Sequence, residues 1–600
     1  MKNLTIRICG TAGEGVISSG DIFALAVARS GYYVTTFRSF PSEIRGHGQC
    51  SFQLKVSDEK AFTCGLKTDV LIGLNEQAIE DNLKLLRPGS ILILDSDVVA
   101  NKYQENCDII KYRIPITSIA EESASLRSKN MVAIGVMAGL VPQLGLKDQL
   151  KEDIKSRYAK KSQKIIEENI KAFEEGYNYA LEKLTREDNL TSITMQKTGK
   201  KLIMSGNEAI ALASIVAGCR FYAGYPITPA TEIMEWLALE MPKVNGTMLQ
   251  CEDEIAAVTA AIGASYGGVK SMTATSGPGF SLMSEALGLA SMAELPLVIV
   301  DVQRGGPSTG LPTKTEQSDL NMAIYGTHGE APKIVIAPMN VEDCFYQTIN
   351  AFNFAEKYQL PVILLSDAAI GQRKECVDEI DISKIKIENR LRHDRENDKG
   401  LYVRYKNTIN GISPISSPGD NGGAYVATGL EHTEACRPTP DAAVHKMMME
   451  KRFKKLETAA CDFIPAKTYG PDDAKIGIIT WGGTTGAVLE AVDIAKEKGY
   501  KIQALYPRTI YPVPNEWLNS FISGKDMILV AEANYTAQLL HNLVYRLNKI
   551  NKDIKLFEVL KYNGEPFSAI EIFEKVDKVI REQMLRYTVM ESENDYSYKF

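Results

Sequence analysis

Three short stretches hold residue types that could do chemistry together. "AGYPITPATEIMEW" (223–236) runs from small residues into a stiff turn and then a helical segment. Pro226 and Pro229 each fix a φ angle, and Pro229 biases Thr228 away from helix. Two roles are then open to Thr228: N-cap of the following helix, with Pro229 at its first position, or a hydroxyl aimed at a ligand. "QCEDEIAAVTAAIGASYGG" sets Glu252, Asp253 and Glu254 at the head of an Ala-rich helix. Acidic residues there complement the helix dipole. The helix beyond Glu254 is nearly all small and apolar, so it reads as buried. A carboxylate at its mouth is costly without a partner and is therefore a functional candidate. "VDVQRGGPSTGLPT" puts Arg304 at the carboxyl end of a strongly apolar strand, where ligands gather in open α/β sheets. Arg304 is either a solvated loop residue or a two-pronged grip for a carboxylate, which lysine would provide less well.

The elements that must position these residues alternate between strand and helix along the whole chain. "CRFYAGY", "VKSMTATS", "LPLVIVDVQ" and "LPVILLSD" are short apolar runs of the kind buried in parallel sheets, separated by helical segments. The pattern predicts an α/β fold with three parallel-sheet domains. Residues 1–190 form the first domain and 200–378 the second, which carries the three stretches above. Residues 379–470 read as a connector, with "HKMMMEKRFKKLE" as a partly exposed basic helix, and 471–600 form the third domain. Two further strand–turn–helix joints are rich in glycine, "ICGTAGEGVISSG" near the start and "TWGGTTGAVLEA" at 480–491. Each is either a tight structural turn or an anion site at a helix N-terminus. Neither has the dinucleotide or P-loop spacing. The loop "FPSEIRGHGQC" exposes Glu43, Arg45 and His47, either as a solvated turn or as a binding and assembly surface.

Composition excludes several classes. A net charge of −7 argues against a nucleic-acid surface. The sequence has no apolar run long enough to span a membrane and no signal-peptide pattern at its start, so a cytoplasmic protein is expected. The 10 cysteines include no C-x-x-C pair, so they read as reduced thiols and the chain is expected to carry no iron–sulfur cluster of its own.

The combination "GYPITP", "QRGGPSTGLPTKTEQSDL", "YGTHGEAP", "TGLEHTE" and "WGGTTGAVLEA" resembles the α subunit of 2-oxoacid:ferredoxin oxidoreductases. "GTAGEGV" with "FPSEIRGHGQCSFQLKVSD" resembles the γ domain that some members fuse ahead of it, although Ala12, Glu14 and His47 depart from the usual γ pattern. The likeness covers essentially the whole chain. It implies a γ-like domain, a pyrimidine-binding domain of the thiamine-enzyme type and a transketolase C-terminal-like domain. It also implies oxidative decarboxylation of a 2-oxoacid to an acyl-coenzyme A and CO₂, with electrons passed to ferredoxin. Thiamine diphosphate would be shared with a β subunit holding Mg²⁺ and a [4Fe–4S] cluster, in an (αβ)₂ assembly that is inactive without β. By resemblance Glu254, rather than Glu252, would face the aminopyrimidine, flanked by Tyr225 and Pro226. Thr228 and Arg304 would bind the 2-oxoacid, and Thr313 is a weaker candidate. Fused chains tilt the expected substrate toward 2-oxoglutarate. Pyruvate, branched-chain or aryl 2-oxoacids are the alternatives, and a non-catalytic scaffold subunit is the reading outside enzymes.

Overall fold

The computed structural model describes residues 3–40, 48–99, 108–184, 190, 196–199, 201–394 and 402–595. It divides into two compact units, residues 1–205 with 372–380, and residues 206–371 with 381–600.

The first unit is built on an eight-stranded sheet. Its strands are β1 (Asn3–Thr11), β2 (Tyr33–Ser39), β3 (Gln49–Ser57), β4 (Thr68–Gly73), β5 (Leu86–Asp95), β6 (Ile110–Ile114), β7 (Leu202–Ser205) and β14 (Lys374–Val377). They lie in the order β6-β5-β4-β1-β3-β2-β14-β7. The β1, β4, β5, β6 half is parallel. From β1 through β3, β2, β14 and β7 every pairing is antiparallel, so this sheet is mixed. Residues 40–48 between β2 and β3 are fewer than the dozen or so a parallel crossover needs, which forces a reversal there. Residues 202–205 and 374–377, which the sequence pattern groups with the second domain, complete this sheet. Helix Lys129–Leu140 is buried along its length and crosses Gln163–Lys183 closely. A Cβ at Gly135 would stand 2.1 Å from Phe173 O, and one at Gly176 would stand 2.3 Å from Val132 O, so glycine sets this approach.

The second unit holds two sheets. One contains β8 (Phe221–Gly224), β9 (Thr247–Gln250), β10 (Ser271–Thr275), β11 (Leu297–Gln303), β12 (Ile334–Ile336), β13 (Pro361–Asp367) and β18 (Thr509–Tyr511). Its order is β18-β12-β13-β11-β10-β8-β9, parallel except where β18 joins β12. The other contains β15 (Lys467–Tyr469), β16 (Ile476–Thr480), β17 (Ile502–Tyr506), β19 (Met527–Glu532) and β20 (Lys555–Leu560), in the order β15-β17-β16-β19-β20. All seven residues of β11 are buried, as a strand covered on both faces requires.

The two sheets of this unit share one apolar core, in which Leu297 and Ile299 belong with Trp481, Val530 and Leu539. Gln317 fastens the seam. Its Nε2 donates to Trp481 O (2.9 Å), and its Oε1 accepts from Thr484 Oγ1 (2.6 Å) and Ala533 N (2.9 Å).

The basic helix Ala442–Ala459 is partly exposed, as its composition suggests, but Lys451, Arg452 and Lys455 on its inner face are buried. The Nζ atoms of Lys451 and Lys455 reach Glu294 Oε2 at 2.6 and 2.5 Å, and Arg452 pairs with Glu431 at 2.7 Å. Arg404 donates to Glu294 O at 2.7 Å. The lysines face a buried acid rather than water.

Candidate active site at the carboxyl edge of the second sheet

The chain leaves β8 through Tyr225, 40% exposed, and half-buried Pro226. Ala230 N and Thr231 N both donate to Ile227 O, at 2.8 and 3.0 Å, and the helix runs from Thr231 to Glu240. Ala230, not Thr228, takes the cap position, and no side chain caps this helix. Thr228 therefore lies within the turn, freed from the capping role. Asn207, which the motifs do not reveal, is fully buried and donates through Nδ2 to Pro229 O (2.9 Å) and Glu232 Oε2 (3.1 Å). It pins the turn from below.

Arg304 follows β11 directly and is 7% exposed. Its Nη1 donates to Thr228 O at 2.6 Å, so the two predicted substrate residues meet through the threonine's carbonyl. Its Nε has no hydrogen-bond partner, and no carboxylate pairs with it among the described residues. Burial pulls its pKa below the ordinary arginine value. The loop after it folds back, with Gly305 N donating to Lys314 O (3.1 Å) and Leu311 N to Gly305 O (2.8 Å). That holds half-buried Thr313 beside the strand end without placing it on Thr228.

Asp253 caps the next helix, accepting from Ala256 N at 2.7 Å, and Glu254 takes its first turn. Glu252 is exposed, whereas Glu254 is 5% exposed, so burial separates the two candidates. Burial also raises the Glu254 pKa, against the opposing pull of its own backbone N–H. Its carboxylate lies over Gly279, where a Cβ would stand 2.3 Å from Glu254 Oε1 and 2.2 Å from Thr275 Oγ1. The "TSGPGFS" joint thus makes room for this acid by lacking a side chain.

Two other glycine joints resolve differently. At "GTAGEG", Thr11 N donates to Glu14 Oε2 at 2.6 Å, so the turn already carries a carboxylate of its own. At "WGGTTG", Gly483 N donates to Asp367 Oδ2 at 3.0 Å, which fills the anion position of that helix start. Both are structural turns closed by an internal acid. Glu43, Arg45 and His47 lie outside the described residues.

A desolvated carboxylate without an ion pair can hydrogen-bond a protonated or amino-bearing heterocycle. A guanidinium with an open Nε can grip a carboxylate. The described cysteines are free and, Cys251 and Cys461 apart, buried. Among the described residues no helix is long and apolar enough to cross a membrane, and no group of His, Cys, Asp or Glu is arranged to hold a metal.

Comparison with known proteins agrees with this geometry. Residues 212–451 match the thiamine diphosphate-binding family of pyruvate flavodoxin/ferredoxin oxidoreductases. Residues 5–179 match the pyruvate ferredoxin/flavodoxin oxidoreductase family, and 474–570 match core domain II of pyruvate:ferredoxin oxidoreductase. The chain is 34% identical to a 2-oxoacid:ferredoxin oxidoreductase α subunit from Sulfolobus sp, covering 96% of each chain. It is 33% identical to the 2-oxoglutarate oxidoreductase subunit KorA of Mycobacterium tuberculosis, over 95% of this chain and 91% of that one. Among solved structures, 2-oxoglutarate:ferredoxin oxidoreductase from Magnetococcus marinus, with 2-oxoglutarate, coenzyme A and succinyl-CoA bound, superimposes with a TM-score of 0.91. The identity there is 39%, over 96% of this chain and 99% of that one.

Three α/β sheets, with a buried acid and a buried arginine at the carboxyl edge of the middle one, define a thiamine-type oxidoreductase subunit. The chain belongs to the 2-oxoacid:ferredoxin oxidoreductase α-subunit family. The residues present fit the aminopyrimidine of thiamine diphosphate, since the Glu254 carboxylate is buried, carries no ion pair among the described residues and is given space by Gly279.

Proposed function

We propose that this chain is the γα-fused subunit of a thiamine-diphosphate-dependent 2-oxoacid:ferredoxin oxidoreductase that converts 2-oxoglutarate, with coenzyme A, to an acyl-coenzyme A and CO₂. The observation that carries the reading is the convergence of Glu254, Arg304 and Thr228 on one sheet edge. Glu254 holds the aminopyrimidine, with Tyr225 and Pro226 at its rim. Arg304 and Thr228 bind the substrate carboxylate and keto oxygen, with Thr313 the weaker candidate for a third contact to the 2-oxoacid. Thiamine diphosphate held there would supply the carbanion chemistry that decarboxylation of a 2-oxoacid needs. Residues of this chain hold, orient and desolvate the reactants.

By the family resemblance, a β subunit holds the [4Fe–4S] cluster and the Mg²⁺ that binds the diphosphate, in a cytoplasmic (αβ)₂ assembly, and the lack of any C-x-x-C pair in this chain is consistent with that division. Support for 2-oxoglutarate comes from relatives named for that substrate and from the structure solved with it. Pyruvate or branched-chain 2-oxoacids remain the competing substrates.

Co-expression with the β subunit and an assay of acyl-coenzyme A formation over a panel of 2-oxoacids tests this reading, with 2-oxoglutarate expected to give the highest kcat/KM. In the same complex, Arg304→Ala should raise the 2-oxoacid KM about 10- to 100-fold, the worth of one charged hydrogen-bonded pair. Unchanged kinetics would remove Arg304 from the substrate site.

A further inference from the structure

Asn207 sits where an amide is costly. It is the second residue of helix Gly206–Val216 and is fully buried. Its Nδ2 donates to Pro229 O at 2.9 Å and to Glu232 Oε2 at 3.1 Å, so both amide protons are used. Its Oδ1 has no hydrogen-bond partner among the described residues. Both neighbours accept, so the amide cannot be turned round to satisfy that oxygen. A buried acceptor left open costs stability, and here the cost is offset only by what the two donors hold.

What they hold leads to Arg304. Pro229 O lies one residue beyond Thr228 O, and the proline ring fixes the φ angle between the two carbonyls. Thr228 O in turn accepts from Arg304 Nη1 at 2.6 Å. The seat of Asn207 is set from the strand that carries the arginine. Gln303, just before Arg304, lies opposite Asp367 across β11 and β13, and helix Ala368–Gln372 continues from β13. A Cβ at Gly371 in that helix would stand 2.9 Å from Asn207 Oδ1 and 3.0 Å from Val302 Cγ1 of β11. A Cβ at Gly206 would stand 2.5 Å from Ile370 O. The two glycines thus let the start of helix Gly206–Val216 lie close against the end of β11. Asn207 carries that reference across to the turn, and the restraints close into a ring at Arg304.

We infer that Asn207 is a positioning residue for the 2-oxoacid: through Pro229 O it sets where Thr228 and the Arg304 guanidinium stand. The inference rests on the proposed substrate role of Arg304 and Thr228. Asn207 is fully buried and acts through the turn, so it is not a catalytic residue. Its second arm, to Glu232, fastens helix Thr231–Glu240 rather than the carbonyls of the turn. The two arms can therefore be cut separately.

Steady-state kinetics of the assembled complex with 2-oxoglutarate test this. Asn207→Ala should raise the 2-oxoacid KM about 3- to 10-fold, the worth of one hydrogen bond, with kcat within about twofold of wild type. Glu232→Ala removes the other arm, leaves Pro229 O held, and should keep that KM within about twofold. In an Arg304→Ala background, Asn207→Ala should add less than about twofold, because the group it positions is gone. Deuterium exchange at the thiamine C2, measured without 2-oxoacid, should keep the wild-type rate, since Glu254 is untouched. Gly371→Ala, which crowds Asn207 Oδ1 while keeping both donors, should raise the same KM and serves where Asn207→Ala does not assemble. A wild-type KM in Asn207→Ala, or in Gly371→Ala standing in for it, overturns the inference. So does an effect on kcat alone, or slowed C2 exchange. A KM rise that persists undiminished beside Arg304→Ala, or that Glu232→Ala reproduces in full, marks a general loosening and overturns it too. If Arg304→Ala itself leaves the KM unchanged, the substrate assignment falls first. If Arg304→Ala raises it and Asn207→Ala does not, only the positioning role falls.

Discussion

Replacing Gly279 by alanine tests how the Glu254 carboxylate is held. The new methyl would lie 2.2 Å from Thr275 Oγ1, 2.3 Å from Glu254 Oε1 and 2.6 Å from Glu254 Cδ. Each separation is about 1 Å inside ordinary contact, so something must move. Thr275 is fully buried at the end of β10, paired in register with Asp301, and has little freedom. Glu254 has three rotatable bonds, so its carboxylate is the group displaced. Overpacking costs about 1–3 kcal/mol, and alanine returns up to about 1 kcal/mol of helix propensity. The net loss of stability should therefore be small, about 0–2 kcal/mol by urea unfolding. Activity should fall far more, about 10²–10³-fold, the range associated with a mispositioned proton-transfer group. Hydrogen–deuterium exchange at the thiamine C2 of the reconstituted complex measures that step directly. Shortening the acid in the same background, Glu254→Asp with Gly279→Ala, should recover part of the rate, a coupling visible in a double-mutant cycle. Wild-type exchange in Gly279→Ala alone would show that the gap at Gly279 does not position the carboxylate.

Gln317→Ala removes three bonds across the seam and strands Trp481 O and Ala533 N–H, so unfolding should become easier by about 3 kcal/mol at constant denaturant slope. Glu294→Gln leaves Lys451 and Lys455 buried without their counter-charge and should cost about 3–5 kcal/mol at pH 7. Burial pushes Lys455 down to about 7 even with Glu294 beside it. Its folded value lies below its unfolded one, so the unfolded chain binds more protons between them and stability should rise as pH climbs above about 7. In Glu294→Gln that rise should begin at a lower pH, read from urea midpoints across a pH series.

What the sequence disclosed was mostly local. The apolar runs around 221–224, 271–275, 297–303 and 361–367 are parallel strands of one sheet, because burial on both faces writes a continuous hydrophobic signature. Glu254 and Arg304 stood out since each breaks such a signature at an element end. Long-range pairing left no such trace. β7 and β14 are four-residue strands, "LIMS" and "KECV", whose partners lie far away in the chain. The basic run at 445–457 read as partly exposed, but which of its cations are buried was not legible, because Glu294 stands 157 residues from Lys451. Asn207 and Gln317 are ordinary polar letters until the fold brings them to the turn and the seam. The capping role open to Thr228 fell to geometry too, since the turn ends two residues later than the prolines suggest.

The antiparallel pairing of β7 with β14 also bears on how the chain can be divided. Residues 206–371 leave the first sheet after Ser205 and return to it by Lys374, which lies opposite Ser205. The intervening domain is therefore inserted between two neighbouring strands rather than strung after the first unit. A single nick anywhere within 206–371 leaves each fragment owning strands of the same sheet, so the halves stay hydrogen-bonded through β7, β14 and β2. Releasing the first unit intact takes three cuts, because the chain passes between the units after Ser205, before Gln372 and after Ile380.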